Sequence, residues 1–391
     1  MDKEEKQTTP EPKKKPNLLV RLLAFLVTAA LMVGAVTLVV YRDELNIDAL
    51  RRYLAYRSLE KNESGQAEEF HYTGDDSNSF ASLDDGLLVC SKTSIQLFSQ
   101  SGASYVEKNV SMANPVISVG GARAAVYDVG GEKLFVFANR EEVFSLTGKK
   151  ILSARMNESG CLTTITESSG YKGVATAYDA SFQEVIDIQI SSSFIMDAIT
   201  SPDGTWLAVV ALGQNGAEFE STLRIYDTRE ESGEPAAVCR IGNDVVLDLK
   251  WDGNGIWLQD EHGITLISES GEKLAAWENN NLYLKDFSLG GTGFAALLMG
   301  RYRSGNLGEL ILVDSTGART AGINIQDEVL SISAAGRYVA VLYPGVLTIY
   351  DQELNVYDTT RLEEDIRRVI LREDGTVMLI GSESARLYVP S

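Results

Sequence analysis

Short pairs of apolar segments recur along most of the chain, and their spacing constrains the fold more than any other feature. The clearest unit joins ITSPDGTWLAVV, which begins at Ile199, to LRIYD, which ends at Asp227. The second segments of successive pairs end 37 to 48 residues apart, at Ser99, Asn139, Asp179, Asp227, Ser268, Asp314, Asp351 and Val389. A unit of about 40 residues that holds several short strands is typical of a propeller blade.

The repeat predicts an all-β domain at residues 67–391, a β-propeller of eight four-stranded blades. The last copy stops after its third strand, at Val389, and the segment EEFHYTG (Glu68–Gly74) stands unpaired before the first copy. We expect this segment to supply the missing outer strand of the last blade, because such a splice closes the ring and removes its open edge. Seven blades are the alternative, since the glycine spacing around Trp251–Gly255 is irregular.

An uncharged apolar run of 20 residues, 22–41, lies upstream of the repeats. As a helix it would span about 30 Å, the thickness of the hydrocarbon core of a bilayer. We interpret it as an uncleaved signal anchor; the alternative, a cleaved signal peptide, has a shorter apolar core and a small-residue cleavage site. Lys13–Lys15 and Arg21 precede the run, so the positive-inside rule predicts a cytoplasmic N-terminus and a propeller outside the cytoplasm.

The segments on either side of this predicted transmembrane helix differ in character. Residues 1–21, rich in Lys, Glu, Thr and Pro, have almost nothing to bury and are expected to form a disordered basic tail in the cytoplasm. Residues 42–66 are expected to form a juxtamembrane helix and a linker, because Ile47, Leu50 and Leu54 share one helical face. That helix would lie either on anionic head groups or against its own domain.

Charge and the scarcity of reactive side chains exclude several classes of function. The chain has 35 Lys and Arg against 55 Asp and Glu, a net charge of −20, so it repels phosphate backbones and we expect no nucleic-acid partner. Its three cysteines are widely spaced, which fits neither a disulfide framework nor a zinc ribbon. Its two histidines, His71 and His262, lie in different repeats, which argues against a His-based metal cluster or triad. The sequence therefore predicts no catalytic residue, no metal site and no cofactor.

Five polar residues occupy one matching position in the predicted innermost strands, seven residues before the glycine of the following turn: Ser153, Asp197, Asp248, Asp286 and Arg368. Innermost strands line the central channel of a propeller, so these side chains are candidates for a site that binds a small ligand or a cation. The alternative is a solvated channel wall in which Arg368 balances the acids.

The SPDGTW…IYD unit resembles the repeats of WD-type and TolB-like propellers, with Tyr-Asp in place of Trp-Asp. The overall plan, including NIDALRRYLAYR, resembles an uncharacterised bacterial family of membrane-anchored β-propellers. That resemblance implies location and fold but no activity. The predicted function is a propeller tethered to the lipid bilayer through residues 22–41, a binding, scaffold or sensor module for a protein, peptide or envelope glycan. The alternative is a metal-dependent hydrolase or lyase that uses the channel carboxylates.

Overall fold

The computed structural model describes residues 22–23, 25–29, 32–34, 47–75, 77–230, 232–363 and 365–390. The chain divides into two compact units, residues 1–54 and 55–391. The described residues among 22–34 are helical, and helix α1 covers Ile47–Tyr56. None of the described helices is long and apolar enough to cross a membrane. The predicted basic tail (1–21) and the rest of the predicted span (22–41) lie outside the described residues.

The second unit is an eight-bladed β-propeller whose described strands form eight antiparallel sheets of four. Strand β1 (Phe70–His71) comes first in the chain and belongs to the last blade. Four blades follow in chain order: blade 1, β2 (Ser79–Leu83), β3 (Gly86–Cys90), β4 (Ser94–Phe98) and β5 (Ser104–Asn109); blade 2, β6 (Pro115–Gly120), β7 (Arg123–Asp128), β8 (Lys133–Ala138) and β9 (Glu141–Thr147); blade 3, β10 (Ile151–Met156), β11 (Leu162–Thr166), β12 (Gly173–Tyr178) and β13 (Glu184–Ile190); blade 4, β14 (Phe194–Thr200), β15 (Trp206–Asn215), β16 (Glu218–Asp227) and β17 (Ala237–Gly242).

The other half of the ring follows the same plan. It consists of blade 5, β18 (Val246–Asp252), β19 (Gly255–Asp260), β20 (Gly263–Ile267) and β21 (Lys273–Glu278); blade 6, β22 (Tyr283–Ser288), β23 (Phe294–Gly300), β24 (Gly308–Asp314) and β25 (Arg319–Ile325); blade 7, β26 (Ser331–Ala335), β27 (Tyr338–Tyr343), β28 (Val346–Tyr350) and β29 (Val356–Arg361); and blade 8, β30 (Arg368–Leu371), β31 (Val377–Ile380), β32 (Ser384–Tyr388) and β1.

Blade 8 confirms the predicted closure of the ring. Its strand order is β1-β32-β31-β30, with Phe70 opposite Ala385 and His71 opposite Ser384. Blade 5 also has its four strands. The irregular glycine spacing there corresponds to a tight turn between β18 and β19, in which Asp252 pairs with Gly255. The prediction of eight blades is therefore correct, and the seven-blade alternative is wrong.

The core lies between neighbouring blades. Every residue of β3 and β4 is buried, because the middle strands of a blade pack against a neighbour on both faces. Between blades 4 and 5, for example, Val210 packs with Leu249 and Leu258. Free Cys90 and Cys161 are buried in this setting, and Cys239 is half-buried. These packed interfaces hold the innermost strands β2, β6, β10, β14, β18, β22, β26 and β30 around a central channel.

Candidate functional site

The innermost strands of blades 3 to 6 carry a β-bulge directly before the predicted channel residue. The pairing register with the neighbouring strand shifts immediately before Ser153, Asp197, Asp248 and Asp286. The innermost strands of blades 1, 2, 7 and 8 are paired without such a shift. A bulge inserts one residue and re-aims the side chains that follow it. The channel therefore has two structurally different halves, and the acidic residues lie in the bulged half.

Arg155 joins two of the predicted carboxylates. Its Nε donates to Asp197 Oδ2 at 2.9 Å, and its Nη2 lies 2.5 Å from both Asp197 Oδ2 and Asp248 Oδ1. Ser153 Oγ donates to Asp197 Oδ1 at 3.2 Å. Three of the five predicted residues are thus connected, but through an arginine that the sequence analysis missed.

The position of Arg155 contained a usable signal. It lies two residues after Ser153, and alternate residues of a strand face the same side. Burial disfavours the charged guanidinium, but Asp197 and Asp248 outweigh that effect and raise the pKa of Arg155 above its usual value. The arginine is therefore a permanent cation that neutralises one of its two acidic neighbours.

Asp286 and Arg368 lie apart from this network. Asp286 accepts the backbone N–H of Phe287 at 2.8 Å and that of Ile332 at 3.4 Å. The guanidinium of Arg368 lies 5.9 Å from the centre of the Phe80 ring. Asp197, Asp248 and Asp286 do not form a group of three potential metal ligands within 4.8 Å in the described part of the chain. Arg155 therefore balances Asp197 and Asp248, while the charge of Arg368 acts on Asp286.

Replacement of Asp286 by Asn should change how stability depends on pH. Burial raises the pKa of Asp286 above 3.8, an effect that its two backbone hydrogen bonds and Arg368 only partly oppose. The folded protein therefore holds this proton more tightly than the unfolded chain, and the associated stability is lost as the pH rises from 3.8 through the raised pKa. Asp286→Asn should gain stability relative to wild type over this window, as measured by melting temperatures between pH 3.5 and 7. A difference that does not vary with pH would contradict this.

Several channel-facing side chains have an evident structural role. Ser118 Oγ accepts the backbone N–H of Met156 at 3.1 Å, Ser288 Oγ that of Ala334 at 2.9 Å, and Ser333 Oγ that of Leu371 at 3.0 Å. In each case a side-chain oxygen on one innermost strand accepts a backbone N–H from the free edge of the innermost strand in the next blade. Asp286 does the same for Ile332. These contacts support the solvated-wall alternative, while ligand binding by the five residues stays a prediction.

A cavity of about 710 Å³ opens at the end of the channel where the innermost strands finish, which we call the front face. The front cavity is lined from blades 2 to 6 and from blade 8, so it occupies the centre of the ring. Its charged residues are Arg155, Glu158, Asp248, Lys250, Asp252 and Glu373. Its lining includes Asp248, one of the five predicted channel residues, and Arg155, with which Asp248 forms an ion pair, so we take this cavity as the candidate binding site.

Two solved propellers are similar to this chain. BamB from Moraxella catarrhalis aligns with a TM-score of 0.52 and 13% sequence identity, over 83% of this chain and 96% of that chain. The C-terminal WD40 domain of Sif2 aligns with a TM-score of 0.57 and 13% identity, over 82% and 96%. At such identities the likeness shows the fold alone.

The sequence comparisons identify a family but no activity. Residues 51–387 match a family described as "Family of unknown function (DUF5711)". No curated protein matches the sequence. The matched range includes all eight blades and most of helix α1, so the helix and the propeller occur together in that family's pattern.

Proposed function

The chain belongs to this family of unknown function, DUF5711, and we propose that it is a membrane-tethered binding module. Its front cavity would receive a segment of a partner protein that carries Lys or Arg. One observation carries the proposal, the charge balance of the front cavity. Its lining contains four acidic residues and two basic ones, and both basic residues are already engaged.

The two cations of the front cavity have partners within the protein. Arg155 is held by Asp197 and Asp248. Lys250 Nζ donates to the carbonyl of Leu289 at 2.9 Å and lies 3.7 Å from Asp252. The remaining acids attract a cation and repel an anion, and the net charge of −20 on the chain adds to that field.

Glu158 and Glu373 are the acids best placed to meet a ligand. Both are exposed at the rim of the cavity, and neither forms an ion pair with any described residue. A partner segment with two basic side chains would therefore find two unpaired carboxylates across the channel mouth. Such rim charges contribute mainly to the rate and specificity of association.

The other predicted occupants and activities have less support. The one aromatic residue that lines the front cavity, Trp251, is only 5% exposed, so a glycan would find no open ring to stack on. For a hydrolase or lyase, Arg155 already engages two of the three channel carboxylates, and Asp286 binds backbone N–H groups. A basic protein segment is therefore the occupant that we propose.

The proposal keeps the bilayer tether and its orientation. Its support is the uncharged run at residues 22–41 with Lys13–Lys15 and Arg21 before it. In wall-stripped cells, added protease should then digest the propeller without lysis. If the propeller were digested only after lysis, the predicted orientation would be wrong. The proposal for the front cavity would still stand, because partner capture tests it separately.

The capture experiment tests the cavity itself. A photo-crosslinking amino acid at Asn254, which lines the front cavity, should trap a partner through a peptide that contains Lys or Arg, and high salt should reduce the yield. The double variant Glu158→Gln/Glu373→Gln should weaken this association about tenfold. The same crosslinker at Val356, exposed on an outermost strand, should trap much less of that partner.

A matched charge control completes the design. Glu107→Gln/Glu141→Gln removes the same charge from exposed positions on the outermost strands β5 and β9. We expect this variant to capture the partner like the wild type. Equal capture by the wild type and by Glu158→Gln/Glu373→Gln would overturn the proposed site, as would a crosslinked peptide without basic residues.

A further inference from the structure

Three potential metal ligands meet at the end of the propeller where the innermost strands begin, the back face. They are Asp244, in the connection between β17 and β18, and Asp260 and His262, at the turn between β19 and β20. One ligating atom from each lies within 4.8 Å of the other two, and His262 Nδ1 is 2.9 Å from Asp244 Oδ1. We propose that these residues form a binding site for a divalent transition-metal ion, with Zn²⁺ as the best fit.

The local chain geometry fixes Asp260 in place. Its Oδ1 accepts the backbone N–H groups of His262 at 2.7 Å and Gly263 at 2.8 Å. Both bonds of the turn use the same oxygen, so Oδ2 of Asp260 takes no part in them. His262 rises from the same turn with a side chain that is 62% exposed, so its ring can adjust to an ion.

The electrostatics of the cluster favour a cation. The carboxylates of Asp244 and Asp260 place two like charges within 4.8 Å of each other. A cavity of about 360 Å³ lies at the cluster, and its lining adds Glu278 and one basic residue, Lys273. A divalent ion between the two aspartates would replace their repulsion with attraction.

The donor set selects the kind of ion. One imidazole nitrogen and two carboxylate oxygens suit zinc and similar borderline metals, whereas calcium and magnesium prefer oxygen ligands alone. Zinc binds such ligands at about 2.0–2.2 Å, which places tetrahedral ligand atoms about 3.4 Å apart. Atoms that lie up to 4.8 Å apart must therefore approach by about 1.4 Å at most, and His262 Nδ1 and Asp244 Oδ1, at 2.9 Å, must separate slightly. The exposed ring of His262 and the loop position of Asp244 permit that movement.

The position of the site suggests its consequence. Asp244 belongs to the crossover from blade 4 to blade 5, and the other two ligands belong to the turn between the middle strands of blade 5. A bound ion would fasten this crossover to blade 5. This arrangement needs only one histidine, so it can form although His71 and His262 lie in different blades.

The chain offers an internal control, because its two histidines are in different blades. In the full-length protein, NMR spectra of the imidazole C–H groups should show His262 shifting during a Zn²⁺ titration while His71 does not. At a free Zn²⁺ concentration of 100 times Kd, the melting temperature should rise by about 4 °C, and Mg²⁺ at the same concentration should leave it unchanged.

Substitutions identify the ligands. His262→Gln and Asp244→Asn should each weaken Zn²⁺ binding at least tenfold, while His71→Gln should bind like the wild type. Asp244→Asn lies in an exposed loop and tests the site even if a change in the β19–β20 turn disturbs folding. Equal shifts of both histidines, Zn²⁺ binding that survives in His262→Gln and Asp244→Asn, or no binding at millimolar Zn²⁺ would overturn the proposal and leave a simple His–Asp hydrogen bond.

Discussion

Deletion of residues 68–74 from the full chain should leave the propeller largely unfolded. The deletion removes β1 and with it the fourth strand of blade 8. It also removes Phe70, whose ring centre is 5.3 Å from that of Phe98 in blade 1, and Tyr72, whose hydroxyl donates to the carbonyl of Gly381 at 2.9 Å. Loss of two buried aromatic side chains costs several kcal/mol, a large part of the stability of a typical domain.

Tryptophan fluorescence can follow this unfolding from the far side of the ring. The four tryptophans, Trp206, Trp251, Trp257 and Trp277, lie in blades 4 and 5. If the ring folds as one unit, loss of closure at blade 8 should change their emission. A milder variant, Phe70→Ala, should cost about 3–5 kcal/mol and lower the melting temperature by about 5 °C.

The neighbouring residue supplies the control. His71 lies on the same strand but is exposed, so His71→Gln should melt like the wild type. An unchanged melting temperature after deletion of residues 68–74 would show that β1 does not close the ring.

Replacement of Arg155 by Met should destabilise the propeller by about 3 kcal/mol, or about 4 °C in melting temperature. The substitution leaves the carboxylates of Asp197 and Asp248, which are 13% and 30% exposed, facing each other without their shared cation. Thermal unfolding of both proteins at pH 7 measures this effect.

The triple variant Arg155→Met/Asp197→Asn/Asp248→Asn separates lost pairing from lost packing. Each asparagine keeps an oxygen that can accept the backbone N–H of the following residue, as Asp197 does for Ala198 and Asp248 does for Leu249. Removal of all three charges should therefore restore most of the stability. A triple variant as unstable as Arg155→Met, or a single variant as stable as the wild type, would contradict the ion-pair explanation.

The candidate site was only partly predictable. The matching register correctly placed Ser153, Asp197, Asp248, Asp286 and Arg368 on innermost strands. It did not show that bulges precede four of these residues, or that Arg155 joins two carboxylates while Asp286 caps a neighbouring strand. Bulges depend on how each strand pairs, and distances across the channel depend on the whole ring.

The sequence by itself determined the propeller fold and the closing strand, and it favoured eight blades over seven. Turn glycines and alternating apolar residues act within a few positions of each other, so each blade is encoded in its own segment, and the unpaired Glu68–Gly74 matches the missing fourth strand of the last copy. Only the tertiary structure decided which charges meet. Asp244 and His262, 18 residues apart, meet because β18 pairs with β19 in blade 5. Arg155 and Asp248 are 93 residues apart in blades 3 and 5, and they come together because ring closure and packing between blades set their separation.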